Sequence, residues 1–465
     1  MTEQTLIFDK ELITRYDRQG PRYTSYPTAV QFHGGFGNED YREQARVTNE
    51  SAHPAPLSLY FHIPFCATVC YYCACNKIVT KNKAHTTKYL DCLFREIETQ
   101  GALFERSRPV DQLHWGGGTP TFLDEEQMQA LMSKTREHFS LHEDDAGEYS
   151  IEIDPSTVTE AKVGFLRKLG FNRLSMGVQD FELDVQKAVN RIQSEEQTLR
   201  IIASARTHGF QSLSVDLIYG LPLQTTASFN RTLTKVIDAN PDRVSVFNYA
   251  HLPQLFKTQR QIDESQLPPP EEKLQILQLA IERLTAAGYL YIGMDHFAKP
   301  DDELAVAQRE GKLSRNFQGY ATHGHCDIIG MGVSAIGRVG NSYSQNEREL
   351  EQYQQRVEQE GLAVFRGVKL GQDDVLRRAI INQLICHFEL DFRAIETESG
   401  VDFAKDFSDE LNELSAMQQD GLLALDGHGL KVLPAGRLLI RNICMVFDRY
   451  LQNAGDAPNR FSKVI

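Results

Sequence analysis

Short runs of β-strand character alternate with amphipathic helical stretches from Leu57 to about Ala298. In the stretches between the runs, such as KAHTTKYLDCLFREIETQGALF, apolar residues recur at helical spacing. The runs are LSLYFHI, DQLHWGG, YSIEID, RLSMGV, SLSVDLIYG and RVSVFNYA. Six βα units in series predict an α/β fold whose parallel sheet, with right-handed crossovers, is closed or partly closed into a barrel.

This pattern predicts where functional residues lie, because parallel βα folds assemble their active sites at the carboxyl ends of the strands. A cluster of cysteines follows the first run, and GGGTP follows the second. Glu152 lies at the end of the third run, Gln179 ends the fourth and Ala250 ends the sixth, while Asp216 lies within the fifth. We therefore expect these residues to face one common site.

The pattern changes towards the carboxyl terminus, where helical segments surround LLALDGHGLKVLPAG from about Asp373 onward. That stretch has the pattern of a β-hairpin. We predict an N-terminal segment over the active site at 1–56, a catalytic domain at 57–370 and a smaller, mostly helical, winged-helix-like domain at 371–465. The last domain lacks a basic stripe, so a structural or lid role is favoured over DNA binding.

Composition narrows the class of protein. The chain has 465 residues, of which 41% are hydrophobic and 24% charged, as is ordinary for globular proteins. Its net charge of -14 argues against a broad surface for nucleic acid. No apolar run approaches the length of a membrane-spanning helix, and the N-terminus lacks the features of a signal or transit peptide. We expect a cytoplasmic protein without a nucleic-acid or membrane partner.

The stretch CATVCYYCAC, residues 66–75, carries half of the chain's 8 cysteines. Disulfides are unfavourable in a reduced cytoplasm, so metal or redox chemistry is favoured. Tetrahedral zinc would need a second Cys or His pair, and no matching pair is evident. Three thiolates from one loop suit a cubane iron–sulfur cluster whose fourth iron stays open to another ligand. The other thiols, predicted to be buried core positions, are Cys92, Cys326, Cys386 and Cys444.

The same stretch resembles the CxxxCxxC motif of the radical S-adenosylmethionine superfamily, in which an aromatic residue precedes the third cysteine. The resemblance implies that Cys66, Cys70 and Cys73 hold a [4Fe–4S] cluster, with Tyr72 as the aromatic residue. The open iron would then chelate S-adenosylmethionine. Only one residue separates Cys73 from Cys75, which leaves little loop to reach another corner, so we predict that Cys75 is a non-ligand neighbour.

Further stretches resemble one subfamily, the oxygen-independent coproporphyrinogen III oxidases. They include GPRYTSYPTA (20–29), SLYFHIPFC (58–66), HWGGGTPT (114–121), RLSMGVQDF (173–181), DLIYGLP (216–222) and GMGVSAI (330–336). The resemblance implies a radical S-adenosylmethionine oxidoreductase built on a partial parallel (β/α)6 barrel. Its reaction would convert two propionate side chains of coproporphyrinogen III into vinyl groups, giving protoporphyrinogen IX for heme biosynthesis without oxygen. Hydrogen would be abstracted by a 5'-deoxyadenosyl radical.

The subfamily resemblance also implies two molecules of S-adenosylmethionine. The molecule at the cluster would contact Tyr60, Gly117, Glu152 and Ile336. The second would contact Tyr72, Gly118, Thr119, Gln179, Arg191, Asp216 and Ala250. Glycine permits close approach of the backbone to the methionine ammonium, and a carboxylate such as that of Glu152 can accept hydrogen bonds from two ribose hydroxyls. A reducing partner such as flavodoxin or ferredoxin is implied, and we expect a monomer.

The substrate presents four carboxylates, so the acidic net charge has to be offset locally. Arg22 in GPRYTSYPTA is the candidate, because a guanidinium suits a carboxylate and a mobile N-terminal segment could close over the site. We predict that Arg22 binds a substrate carboxylate.

Two other hypotheses remain open from sequence alone. A heme-trafficking relative would hold a cluster without oxidase activity, although such relatives usually lack the fourth cysteine and the GPRYTSYPTA segment, both of which are present here. A zinc-stabilised regulator with a winged-helix DNA-binding end is the second hypothesis, and the cysteine spacing disfavours it.

Overall fold

The computed structural model describes residues 6–452. Its strands are β1 (Leu57–Ile63), β2 (Phe65–Cys66), β3 (Ile78–Val79), β4 (Pro109–Gly117), β5 (Ser140–Leu141), β6 (Glu148–Ile153), β7 (Arg173–Gln179), β8 (Ser212–Tyr219), β9 (Arg243–Asn248), β10 (Leu290–Gly293), β11 (His296–Ala298), β12 (Ser314–Asn316), β13 (Gly319–Ala321), β14 (Asp327–Met331), β15 (Ile336–Val339), β16 (Ser342–Asn346), β17 (Val364–Lys369), β18 (Glu389–Asp391), β19 (Leu423–Leu425) and β20 (Gly429–Val432). Its α-helices are α1 (Lys10–Tyr16), α2 (Asn38–Asn49), α3 (Ala84–Leu103), α4 (Glu125–His138), α5 (Glu160–Leu169), α6 (Leu183–Ala188), α7 (Glu195–Thr207), α8 (Thr226–Ala239), α9 (Pro270–Ala286), α10 (Glu303–Arg309), α11 (Leu350–Glu360), α12 (Gln372–His387), α13 (Phe392–Ser399), α14 (Phe403–Asp406), α15 (Ser408–Gln419), α16 (Ile440–Val446) and α17 (Arg449–Gln452).

One compact unit, which we call the barrel unit, comprises Gln31–Ile276 and His325–Lys369. Its main sheet has the strand order β9-β8-β7-β6-β4-β1-β14-β15-β16-β17. All pairs from β9 to β14 are parallel, and the pairs from β14 to β17 are antiparallel. The six predicted runs are β1, β4, β6, β7, β8 and β9, so the predicted partial parallel (β/α)6 fold is confirmed. The structure adds β14, a seventh parallel strand beside β1 that the sequence pattern did not reveal.

Alternate residues of the parallel strands form a buried apolar face of the sheet, as the burial pattern along β6 and β8 shows. Leu57, Leu59, Phe61 and Ile63 of β1 are each at most 1% exposed. Trp115 on β4 packs edge-on against Phe61, with ring centroids 6.2 Å apart. This apolar layer gives the carboxyl ends of the strands a rigid base, which suits a site assembled from several strands.

Polar caps begin the helices directly after several of these strands. Asp124 and Gln127 form a capping box at the start of α4, and Thr225 and Ser228 form one at the start of α8. Each cap satisfies backbone N–H groups that the first turn leaves without an intrahelical partner. The short strand-to-helix loops are therefore fixed at both ends.

The second compact unit, the helical unit, comprises the described residues up to Val30, Leu277–Gly324 and the described residues from Leu370 onward. It contains α12 to α17 and a three-stranded antiparallel sheet, β18-β20-β19. The predicted mostly helical C-terminal domain is confirmed, and the predicted hairpin is the β19–β20 pair.

Residues 6–30 of the N-terminal segment pack within the helical unit, whereas residues 31–56 belong to the barrel unit. Tyr23 donates a hydrogen bond to Asp448 at 3.0 Å, and Arg441 donates to the carbonyl of Pro21 at 2.9 Å. The compact units thus combine segments that are distant in sequence, whereas the predicted domains were three continuous ranges. A covering role for residues 1–56 stays a prediction.

The length and polarity of a helix decide whether it could span a membrane. Across residues 6–452, each helix is either too short or too polar to cross a bilayer.

Candidate active site

A clip of two short strands closes the base of the cysteine loop in the barrel unit. Cys66 ends β2, which pairs in parallel with β3. The Ile78 amide donates to the carbonyl of Pro64 at 2.7 Å, and the Thr80 amide donates to that of Cys66 at 3.0 Å. The loop therefore begins and ends at the two-stranded β2–β3 sheet, and it carries all four clustered cysteines.

Polar side chains from a distant segment hold the inside of the loop. A turn joins the Cys73 amide to the Cys70 carbonyl at 3.2 Å. Thr258 then donates to the Cys73 carbonyl at 3.0 Å, and Gln259 donates to the Tyr72 carbonyl at 3.1 Å. Sequence reasoning missed Thr258 and Gln259, because polar residues in an irregular segment carry no signal of what they contact.

The thiols have different environments. The hydrogen bond between Cys75 and Cys73 lowers the pKa of Cys73 to about 6 and raises the pKa of Cys75 well above its usual value. Lys77 donates to the Cys73 carbonyl at 3.1 Å and adds positive charge beside it. Burial raises the pKa of Cys66 to about 11, although Thr119 lies 3.6 Å from its sulfur. A donor role for Cys75 agrees with the non-ligand prediction, which stays a prediction.

Arg191 brings a buried positive charge to the same loop. Its Nη1 lies 3.7 Å from the sulfur of Cys70 and 3.0 Å from Oδ2 of Asp154. Its Nη2 donates to the carbonyl of Gly177 at 2.7 Å. Burial opposes the charge, but Tyr72, Asp154 and Cys70 together raise the pKa of Arg191, so the guanidinium stays protonated. Asp154 is the last residue of the predicted run YSIEID, and nothing in the sequence pattern indicated its ion pair.

The glycine-rich turn joins the carboxyl ends of β4 and β1. The Gly118 amide donates to the Ile63 carbonyl at 2.8 Å, and the Thr119 amide donates to the Phe65 carbonyl at 2.9 Å. A Cβ atom at position 118 would lie 2.7 Å from the backbone of Pro64, closer than packed atoms tolerate. Glycine is therefore required for the close approach of these two segments.

Glu152 lies beside this turn near the end of β6. It accepts hydrogen bonds from the Gly117 amide at 3.1 Å and from His114 at 3.2 Å. Burial raises its pKa, but the hydrogen bond and charge of His114 and the Gly117 amide outweigh that effect, and the net pKa is lowered. The side chain is 46% exposed although protein surrounds it, so it lies in a concave part of the site. An ionised carboxylate there can accept further hydrogen bonds from a ligand.

An aromatic side chain covers the same residues. The ring of Tyr60 stacks on His114, with centroids 5.8 Å apart and planes 11° from parallel. Its hydroxyl lies 3.0 Å from Nδ1 of His62. His62 and His114 are thus part of the site, although an isolated histidine in a sequence is more often a structural residue.

A second group of polar atoms lies on β7, on β8 and in the loop that follows α6. Gln179 has a φ of 66°, which aims its side chain away from the regular strand direction. Among the described residues, buried Gln179 Oε1 and Arg191 Nε have no hydrogen-bond partner. Asp216 pairs in register with Gly177, and burial raises its pKa to about 6. Unpaired buried polar atoms are costly, so this group is suited to a polar ligand that would satisfy them.

Two predicted cofactor residues offer apolar contact alone. Ala250 follows β9 by two residues, and Ile336 is the first residue of β15. Neither side chain can form a hydrogen bond, so their roles stay predictions.

Arg22 lies in the helical unit. Its guanidinium forms an ion pair with Asp295, and its side chain is 36% exposed. Binding a substrate carboxylate would require Arg22 to share or exchange this partner, and the predicted role stays untested.

Family models and a solved structure define the class of protein. The Radical SAM superfamily model matches residues 60–236, and the HemN C-terminal domain model matches residues 370–439. The structure described as "Coproporphyrinogen III oxidase (HemN) from Escherichia coli is a Radical SAM enzyme" is similar with a TM-score of 0.91 and 50% identity, covering 96% of this chain and 100% of that one. The chain is a radical S-adenosylmethionine enzyme by fold and family.

Curated relatives narrow the family. The oxygen-independent coproporphyrinogen III oxidase of Pseudomonas aeruginosa is 54% identical over 461 residues, 99% of each chain. That of Escherichia coli K12 is 52% identical over 466 residues, 100% of each chain. The chain therefore belongs to the family of oxygen-independent coproporphyrinogen III oxidases. The predicted family is confirmed, and neither the heme-trafficking nor the zinc-regulator hypothesis gains support.

Proposed function

We propose that this protein catalyses the oxygen-independent oxidative decarboxylation of coproporphyrinogen III to protoporphyrinogen IX in heme biosynthesis. The observation that carries this proposal is 54% identity with a curated oxidase over 99% of both chains. Two propionate side chains become vinyl groups. Each side chain loses one hydrogen atom, carbon dioxide and one further electron.

Cys66, Cys70 and Cys73 would hold a [4Fe–4S] cluster in this protein. The cysteine loop supports the assignment, because the β2–β3 pair closes its base and the three cysteines that it carries are free thiols. When bound, the cluster and S-adenosylmethionine supply a 5'-deoxyadenosyl radical that abstracts hydrogen from the substrate. The protein's contribution is to position these groups and to exclude water and oxygen.

The cofactor at the cluster would lie between β1, β4 and β6. Glu152 would accept hydrogen bonds from the ribose hydroxyls, because its carboxylate is ionised and still accessible. Gly117 would let the backbone approach the methionine end, Tyr60 would pack against the cofactor, and Ile336 would add apolar contact.

A second S-adenosylmethionine would lie against β7 and β8. Gln179 Oε1 and Arg191 Nε are buried polar atoms suited to its amino, hydroxyl and carboxylate groups. The remaining contacts of this molecule would come from Tyr72, Gly118, Thr119, Asp216 and Ala250. Arg191 would serve twice, since it also lies beside the sulfur of Cys70.

We also propose a reducing protein as a partner, and the cytoplasm as the location. Cys75 and Val79 of the cysteine loop are exposed, which would let a small reducing protein such as flavodoxin or ferredoxin approach the cluster. The enzyme would act as a monomer in the cytoplasm under oxygen-poor conditions.

Anaerobic turnover tests the function. Reconstituted protein, given S-adenosylmethionine, reductant and coproporphyrinogen III, should form protoporphyrinogen IX together with 5'-deoxyadenosine. The Cys70→Ser variant should form neither, whereas Cys92→Ser, which changes a buried thiol on α3, should form both. Tight heme binding without a vinyl product would contradict the proposal.

A further inference from the structure

A second set of metal-binding side chains lies in the barrel unit, outside the candidate active site. The carboxylate of Asp111, the imidazole of His325 and the thiol of Cys326 have ligand atoms that all lie within 4.8 Å of one another. Asp111 belongs to β4, and the other two residues immediately precede β14. The sequence predicted that Cys326 is a buried core residue, and it is buried. Its neighbours Asp111 and His325 also make it a candidate metal ligand.

Sheet register brings these residues together. Strands β4 and β14 flank β1, and Leu57 of β1 is the partner of both Val110 and Asp327. Asp111 directly follows Val110, and Cys326 directly precedes Asp327. The parallel sheet therefore fixes both ligands at its amino-terminal edge.

The group is independent of the cysteine loop. Asp111 and Gly117 are six residues apart on β4, which places them roughly 20 Å from each other along the strand. The cysteine loop and the glycine-rich turn lie at the carboxyl ends of the strands, at the opposite edge. An ion at Asp111 would leave the iron–sulfur ligands unchanged.

Neighbouring groups hold two of the three residues in place. His142 Nε2 lies 2.9 Å from Oδ1 of Asp111 and fixes the position of that carboxylate. Arg338 donates to the backbone carbonyl of Cys326 at 2.7 Å and fixes the position of that residue. Such supporting hydrogen bonds are typical of metal ligands, whose orientation they hold.

The donor set selects the ion. A thiolate with an imidazole and a carboxylate suits Zn²⁺, which binds sulfur at about 2.3 Å and nitrogen or oxygen at about 2.0 Å. Tetrahedral ligands at those lengths lie roughly 3.5 Å apart, a spacing that ligand atoms within 4.8 Å of one another reach by small side-chain rotations. Zinc binding replaces the thiol proton of Cys326, which leaves to solvent. His325 is exposed, so the ion has a route from solvent to the buried thiol.

We propose that Asp111, His325 and Cys326 form a structural zinc site that ties the start of β4 to the start of β14 on either side of β1. Three protein ligands leave one position of a tetrahedral ion for water or a further donor.

Zinc analysis of the holoenzyme tests the site. Anaerobically purified protein with its cluster intact is given one equivalent of Zn²⁺, desalted, and measured for zinc and iron by mass spectrometry. X-ray absorption at the zinc edge should show one sulfur at about 2.3 Å and the remaining ligands at about 2.0 Å. The iron content should not change.

Matched variants identify the ligands. Cys326→Ser should remove the sulfur shell and weaken zinc binding on the order of 100-fold, and the exposed His325→Ala should weaken it similarly. Cys92→Ser, which alters another buried thiol of the barrel unit, should bind zinc as the unchanged protein does. Zinc with nitrogen and oxygen ligands only, zinc with three sulfurs at the cluster loop, or unchanged binding in Cys326→Ser would each overturn the proposal.

Discussion

Among single residues, Asp154 allows cofactor binding to be tested apart from cluster binding, because it contacts Arg191 and none of the predicted cluster ligands. Asp154→Asn removes the negative charge 3.0 Å from the guanidinium, and Arg191 is then held less firmly beside Cys70. We expect the KM for S-adenosylmethionine to rise about tenfold, or ~1.4 kcal/mol, with iron content unchanged. Steady-state kinetics of anaerobic protein measure this.

The control for that change is Asp145→Asn, which removes the partner of Arg167 in a more exposed ion pair of the same unit. Exposed pairs contribute little, so the KM should not change. Equal KM values for the two variants would show that Asp154 does not support cofactor binding.

Glu96 is a second informative residue, since it is a fully buried carboxyl on α3. It accepts hydrogen bonds from the Gly332 amide at 2.8 Å, Asn346 at 2.6 Å and Tyr353 at 2.7 Å. Burial raises its pKa to about 7 despite these donors. Glu96 thereby anchors the GMGVSAI segment, which carries the predicted cofactor residue Ile336.

The raised pKa of Glu96 predicts a pH dependence of stability. Between pH 4.5 and about 7 the folded protein holds a proton that the unfolded chain has released. This contribution to stability is complete below pH 4.5 and is lost as the pH rises through 7, at a cost of up to ~3 kcal/mol. Thermal unfolding of anaerobic protein should therefore show a lower midpoint at pH 8.5 than at pH 6.

The Glu96→Gln variant isolates that effect, because its side chain does not titrate. The difference in unfolding midpoint between the unchanged protein and the variant should itself change between pH 6 and pH 8.5. Parallel pH profiles for the two proteins would contradict the assignment.

At the scale of elements, the cysteine loop depends on a neighbouring segment that donates to its carbonyls. Thr258→Val removes the 3.0 Å hydrogen bond to the Cys73 carbonyl and leaves that carbonyl without this donor. We expect iron to be lost to a chelator severalfold faster under anaerobic conditions, because a net hydrogen bond contributes about 1 kcal/mol. Absorbance of the chelated iron over time gives the rate.

Thr207→Val is the matched control, since it removes a 3.0 Å hydrogen bond to a backbone carbonyl on the exposed face of α7. Its rate of iron loss should equal that of the unchanged protein. Equal acceleration in both variants would mean that general destabilisation, rather than the loop, sets the rate.

Elements and strand-end residues were predictable from sequence because their patterns are local. Period-two and helical spacing identified the six strands β1, β4, β6, β7, β8 and β9. Their carboxyl ends identified the positions of Glu152 and Gln179. Strand β14 escaped notice because its neighbour β1 lies some 270 residues earlier in the chain. The contacts of Thr258 and Asp154 are likewise long-range, and no local pattern encodes them.

At the scale of the whole molecule, the barrel unit alone contains the predicted cluster ligands and every predicted cofactor residue. The helical unit joins residues 6–30 to residues more than 400 positions later, as in the pair of Tyr23 and Asp448. Three continuous domains were the simplest prediction, because sequence texture marks boundaries and does not reveal which segments fold together. A net charge of -14 adds that recognition of a substrate with four carboxylates has to be local.

The proposed reaction removes hydrogen from the propionate carbon next to the pyrrole ring, where the remaining radical is delocalised into the ring, and gives that hydrogen to the adenosyl group. Coproporphyrinogen III carrying deuterium at those carbons tests it most directly, in anaerobic turnover followed by mass spectrometry of the nucleoside product. We expect 5'-deoxyadenosine that has gained one deuterium, formed together with the vinyl product. Unlabelled 5'-deoxyadenosine beside a vinyl product, or no vinyl product from protein with a complete cluster, would contradict it.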